Sequence, residues 1–164
     1  MRPRDPMDNA TPSGNSLAAE LLLRAGHLFG EERYREVAER VTAREAAVMA
    51  RFPTAFGRLL SVVDRATAAP VEVAIVGPPD AEGARRLAQA ALAPFHRNRT
   101  VLGRHPDEPD DGIPLLEGRG TLEGKPTAYL CHGYTCDAPV TDPEALATGL
   151  YAAERGAAAR RHPR

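Results

Sequence analysis

From Ser16 onward apolar positions recur at helical spacing, with Leu17, Leu21, Ala25 and Leu28 in one row and Ala18, Leu22 and Phe29 beside it. This spacing predicts a first helix ending near Phe29, with Asn15 or Ser13 placed to cap its start. Gly30 stops it. Glu31 and Glu32 then put negative charge in the first turn of a second helix, where the helix dipole favours it. That helix carries Tyr34, Val37, Ala38, Val41, Val48 and Met49 toward a partner and ends at Pro53. A third, from about Thr54 to Ala68, presents Phe56, Leu59, Leu60 and Val63, with Thr54 as its cap. The short connection at Gly30 makes the first pair an antiparallel hairpin. The apolar stripes are broad for a two-layer contact, which points to further neighbours.

At Pro70 the period changes. Val71 to Val76 is a continuous apolar strand, closed by Gly77-Pro78-Pro79 and followed by a helix from Asp80 to Ala93. Thr100 to Leu102 is a second strand at crossover distance, so a parallel pairing with the first is expected. Arg104 to Gly112 is an exposed acidic loop, and Ile113 to Leu116 a helical turn. Thr127 to Cys131 is a third strand, Tyr134 to Ala138 its returning arm, and Pro143 to Tyr151 a last helix capped by Asp142 or Thr141. The fold class is therefore α+β: helices over residues 1–69, a small α/β region over 70–150, and a disordered Ala/Arg-rich tail over 151–164.

Composition narrows the function classes. The chain has 164 residues, 43% apolar and 26% charged, enough for one ordinary core or two small ones. Its 21 basic and 22 acidic residues nearly cancel, so no global field draws it to nucleic acid or anionic lipid. No stretch approaches the roughly 20 apolar residues of a membrane span, and Met1 to Pro6 lacks the apolar centre of a secretion signal. A cytoplasmic protein with no nucleic-acid or membrane partner is expected. Cys131 and Cys136 are too few for a disulfide framework, so a reduced pair is the default expectation.

Several blocks together resemble one family. They are Asp8-Asn9-Ala10-Thr11-Pro12-Ser13-Gly14-Asn15-Ser16, Arg51-Phe52-Pro53-Thr54-Ala55-Phe56, Val71-Glu72-Val73-Ala74-Ile75-Val76-Gly77, Leu115-Leu116-Glu117-Gly118-Arg119, Pro126-Thr127-Ala128-Tyr129-Leu130-Cys131 and Cys136-Asp137-Ala138-Pro139-Val140-Thr141-Asp142. Over residues 8 to 150 their order and spacing resemble the C-terminal end of the YyaL-like, spermatogenesis-associated thioredoxin-domain proteins. In that family a thioredoxin-like domain precedes an α/α toroid of helical hairpins similar to six-hairpin glycosidases and sugar epimerases, and a small α/β region ends the chain. The resemblance implies that this chain supplies the end of an incomplete toroid plus the α/β region. Its role would then be structural or catalytically incomplete, with the thioredoxin-like and toroid portion, or self-association, as the partner. Met1 or Met7, standing just before the Asp8-Asn9 block, fits an internal start.

Two sets of residues can carry chemistry. In the toroid setting the Asp8 to Asn15 loop enters near the inner mouth, and Asp8, Asn9 and Asn15 would contact a sugar ligand of a glycosidase-like or epimerase-like enzyme. Glycoside hydrolysis also asks for a second carboxylate roughly 5 to 9.5 Å away, and only Asp8 is nominated. The competing role for the same loop is capping and turn formation. Cys131 and Cys136, with His132 between them, are either buried structural thiols or a redox pair serving the thioredoxin-like domain. A strand and a turn would bring the sulfurs within disulfide range, and His132 is the neighbour available to lower a thiol pKa. No metal is expected, because the set offers at most three ligands without a second knuckle. No cofactor is expected either. The prolines of Gly77-Pro78-Pro79 remove amide donors that a phosphate turn needs, and no Gly-x-Gly-x-x-Gly or P-loop lysine follows.

Overall fold

A computed structural model describes residues 5–93, 95, 96, 98–132 and 135–161, with residues 154–161 described by backbone alone. Tyr134, expected at the start of the returning arm, lies outside the described residues. The chain divides into two compact units, Met1–Thr67 and Ala68–Arg164.

In the first unit α1 (Gly14–Phe29) and α2 (Glu32–Arg51) form a hairpin, and a 3-10 turn at Pro53–Phe56 leads into α3 (Gly57–Thr67). Ser13, not Asn15, caps α1. Its backbone is extended and its hydroxyl accepts the Ser16 N–H at 3.1 Å, while Asn15 lies inside the first turn. Gly30 ends α1 in the left-handed region, φ 67°, where glycine alone carries no steric cost, and its N–H bonds the Gly26 carbonyl.

The buried face of α1 differs from the expected one. Ser16, Ala19, Leu23 and Gly26 are buried, whereas Leu17 is 47% and Leu21 68% exposed. The reason is closeness of packing. A Cβ added at Gly26 would stand 2.6 Å from Arg35 Cγ and 3.1 Å from the Arg35 nitrogen, so α2 crosses where α1 carries its smallest residues. Ala38, Met49, Phe56, Leu59 and Val62 complete the core. The cap expected at Thr54 is also replaced. The first amides of α3, at Arg58 and Leu59, donate instead to the Asp8 carboxylate.

The second unit holds a four-stranded sheet in the order β2-β1-β3-β4, with β1 Val71–Val76, β2 Arg99–Arg104, β3 Thr127–His132 and β4 Thr135–Cys136. β1 runs parallel to β2, as the crossover spacing predicts, with Val71 opposite Arg99. It runs antiparallel to β3, with Val71 opposite His132. Alternation along the strands gives the sheet two apolar faces. Val71, Val73, Ile75, Ala128 and Leu130 pack with Leu87 and Ala91 of α4 (Glu82–Leu92) and with Leu146 and Leu150 of α5 (Pro143–Arg161). On the other face Ala74, Tyr129 and Cys131 meet Ile113, Leu115 and Leu116 from the segment between β2 and β3. That segment therefore acts as a lid over the sheet.

Asp142 caps α5, accepting the Ala145 N–H at 3.1 Å. The segment expected as a disordered tail, 151–164, instead carries α5 on to Arg161. Its alanines, arginines and glutamate are strong helix formers, and no proline intervenes before Pro163. No helix among the described residues is long and apolar enough to cross a membrane.

Candidate functional site

Asp8 sits at a junction of helix starts. Its Oδ1 accepts the Ser13 N–H at 2.8 Å, and its Oδ2 accepts those of Arg58 at 2.8 Å and Leu59 at 3.2 Å. Burial alone would raise this carboxyl. The Ser13 amide, the Ser16 hydroxyl and the amides of Leu59 and Arg58 together outweigh burial and bring it below its ordinary value. Asn9 is exposed, and its side-chain amide donates to Asp5 Oδ2 at 3.0 Å. Asn15 is exposed in the first turn of α1. Asp8 thus already holds partners in the loop and on α3, and Asn9 holds one at Asp5.

The most concentrated chemistry lies on the lidded face of the sheet. Cys131 and Cys136 are directly opposite each other on β3 and β4, and their sulfurs form a disulfide in place of the expected reduced pair. Leu130 and Asp137 form the adjacent hydrogen-bonded pair, at 2.9 Å, which puts the cysteines at the closer, non-hydrogen-bonded position of the ladder. Cys131 is buried at 3% exposure, and Cys136 is exposed.

Arg119 reaches both sulfurs, its Nη2 lying 3.2 Å from Cys131 Sγ and 3.3 Å from Cys136 Sγ. Three features hold it there. Gly118 turns the chain with φ 66°, the Tyr129 ring lies 4.8 Å from the guanidinium carbon, and the Tyr129 hydroxyl donates to the Gly120 carbonyl at 2.8 Å. Arg104 in addition donates to the Arg119 carbonyl. The Arg119 Nε is buried without a hydrogen-bond partner among the described residues. Across the ladder from Cys131 stands Glu72. Burial pushes its carboxyl above the ordinary value, and the Arg119 charge pulls partly against that shift.

His132, the base that the sequence offers beside the thiols, belongs to the opposite face. Its Nε2 lies 3.2 Å from Asp137 Oδ1, and strand alternation turns both away from the disulfide. Sequence reasoning misses Arg119. It stands twelve residues before Cys131 and seventeen before Cys136, so only the fold joins them, and its one sequence signal is an arginine between two glycines ahead of a strand.

A second concavity, a cavity of about 380 Å³, lies at the carboxyl ends of β1 and β2, between Ala84 and Ala88 of α4 and the Val101, Arg104 and His105 side. Ligands of open α/β sheets often bind in that position. Several groups of its turn are unable to cradle an anion, however. The Gly77 N–H goes to the Arg104 carbonyl at 3.1 Å, the Ala81 N–H goes to the Pro78 carbonyl at 3.0 Å, and Pro78 and Pro79 have no N–H. Among the described residues no three His, Cys, Asp or Glu side chains cluster to hold a metal ion.

Fold and site define an α+β protein with a helical-hairpin unit and a small sheet unit carrying a guanidinium-backed disulfide. No family model matches the chain, and no solved structure matches it significantly. Among characterised sequences it is similar to spermatogenesis-associated protein 20 of Homo sapiens, 25% identical over 146 residues, which cover 87% of this chain and 19% of the relative. The protein of the same name from Rattus norvegicus is 25% identical over 146 residues, 87% of this chain and 18% of that protein. An uncharacterized protein of Caenorhabditis elegans is 27% identical over 134 residues, 81% and 18% respectively. The two relatives that share a name support the link to spermatogenesis-associated protein 20, and the chain spans 18–19% of the length of the relatives it matches.

Proposed function

We propose that the chain acts as the C-terminal segment of a thioredoxin-domain-containing, six-hairpin glycosidase-like protein, in which α1 to α3 complete a helical array and the sheet unit is the small α/β region that ends the chain. The role is structural. The observation that carries this reading is an apolar cleft of about 470 Å³ on α2 and α3, lined by Ala43, Ala46, Met49, Pro53, Leu60 and Val63. Val48, Phe52 and Leu60 are exposed on the same helices and the turn joining them. A surface of this composition is suited to a further helix. The commitment of Asp8 to three backbone amides supports a structural clamp over a sugar contact at that loop.

Light scattering and thermal circular dichroism of the purified chain test the proposal. With the array absent, the cleft should drive concentration-dependent self-association, and Ala46→Glu, which places a charge in it, should restore a monomer. A monodisperse, cooperatively unfolding wild-type chain would show that the helices need no partner and would sink the reading.

A further inference from the structure

We propose that the Cys131–Cys136 disulfide is a redox-active site, opened by a dithiol reductant, with Arg119 as the positioning residue that receives the departing thiolate. The sulfurs differ in a way that sets the direction of attack. Cys136 is exposed and available to an incoming thiolate, whereas Cys131 is buried beneath the lid segment. A reductant thiolate attacks Cys136 Sγ, the S–S bond breaks, and its electron pair leaves on Cys131 Sγ. The second thiol of the reductant, as thiolate, then attacks the reductant's own sulfur in the mixed disulfide, closing the reductant's disulfide and releasing Cys136 as a thiolate. Two electrons pass from the dithiol to the protein, and the dithiol's two protons pass to solvent or to the cysteines.

Exchange is faster and reduction more favourable when the leaving thiolate is stabilised. The Arg119 Nη2, 3.2 Å from Cys131 Sγ, is already in place to do this. The same nitrogen lies 3.3 Å from Cys136 Sγ, so it favours both products. Other groups facing the thiolate are Glu72 across the ladder, which opposes it by like charge, and Tyr129, whose ring holds the guanidinium. The closed loop is short, with a sequence separation of five, so opening frees little chain. Nothing in the site demands that reduction unfold the sheet.

The test uses the full chain under native conditions, treated with dithiothreitol and followed by thiol alkylation, mass analysis and circular dichroism. The disulfide should open while the helical signal persists. In a Cys136→Ser background, ultraviolet thiolate absorbance reads the Cys131 titration without needing access to the sulfur. Arg119→Gln should raise the apparent pKa of Cys131 by about one unit or more, and Arg119→Lys, which keeps the charge, should recover most of the shift. A disulfide that opens only in denaturant, or a Cys131 titration unmoved by Arg119→Gln, overturns the proposal.

Discussion

Replacing Asp8 by alanine should loosen the helical unit at a point outside its apolar core. The carboxylate accepts three backbone N–H groups, at 2.8, 2.8 and 3.2 Å, and two of these belong to the start of α3. Hydrogen bonds to a charged acceptor contribute about 1.5–3 kcal/mol each when dry. Asp8 is only half-buried, so water replaces much of the loss, and about 2 kcal/mol for the whole substitution is the appropriate scale. Asp8→Asn keeps one acceptor oxygen and should cost about half as much. The pH dependence carries a sign. Because the folded carboxyl titrates below 3.8, its contribution is complete above that value and is lost as pH falls through the lower folded-state value. Urea unfolding followed by helical circular dichroism should therefore show the gap between wild type and Asp8→Asn closing only in strong acid. A stability change under about 0.5 kcal/mol for Asp8→Ala at neutral pH, the range of an ordinary surface substitution, would refute the clamp.

Gly26→Ala should destabilise the α1–α2 hairpin by about 1–2 kcal/mol in denaturant unfolding, since the overpacking cost outweighs the better helix propensity of alanine. The new Cβ would meet Arg35 backbone nitrogen and the Glu31 carbonyl at 3.1 Å, and neither is a flexible side-chain end. An unchanged or higher stability would mean that the helices stand further apart. For Glu72 the linkage runs opposite to Asp8. Its folded carboxyl is raised, so the folded state binds the proton more tightly and loses stability as pH climbs past the ordinary 4.5. Glu72→Gln should thus match or exceed wild-type stability at neutral pH and lose that advantage in acid, and a destabilised Glu72→Gln at neutral pH would count against burial as the dominant cause.

Local periodicity makes most of the elements legible in the amino-acid sequence. The Gly30 break, the apolar run Val71 to Val76 and the Asp142 cap each depend on residues a few positions apart, and each stands in the fold near where the pattern places it. What escapes is set by partners distant in sequence. The row Leu17, Leu21, Ala25 and Leu28 is as helical as the row that is buried, and only the approach of α2 at Gly26 selects between them. The cap of α3 comes from Asp8, fifty residues before Arg58. The site is half legible. The cysteine pair is visible, but its bonding and its guanidinium depend on β3–β4 register and on a lid that no short-range pattern encodes. His132 is adjacent in sequence, yet strand alternation puts it on the wrong face.

The two edges of the sheet bear on how this chain would aggregate. β2, at one edge, begins and ends in arginine, and β4, at the other, is only Thr135–Cys136 long. Charged termini on one edge and a truncated strand on the other both discourage the addition of a further strand from another molecule. Large apolar side chains are exposed on the helices of the first unit, at Leu21, Val48 and Leu60. Assemblies of this chain should therefore grow by helix docking, remaining rich in helix and poor in the intermolecular β signal that infrared spectroscopy detects in fibrils.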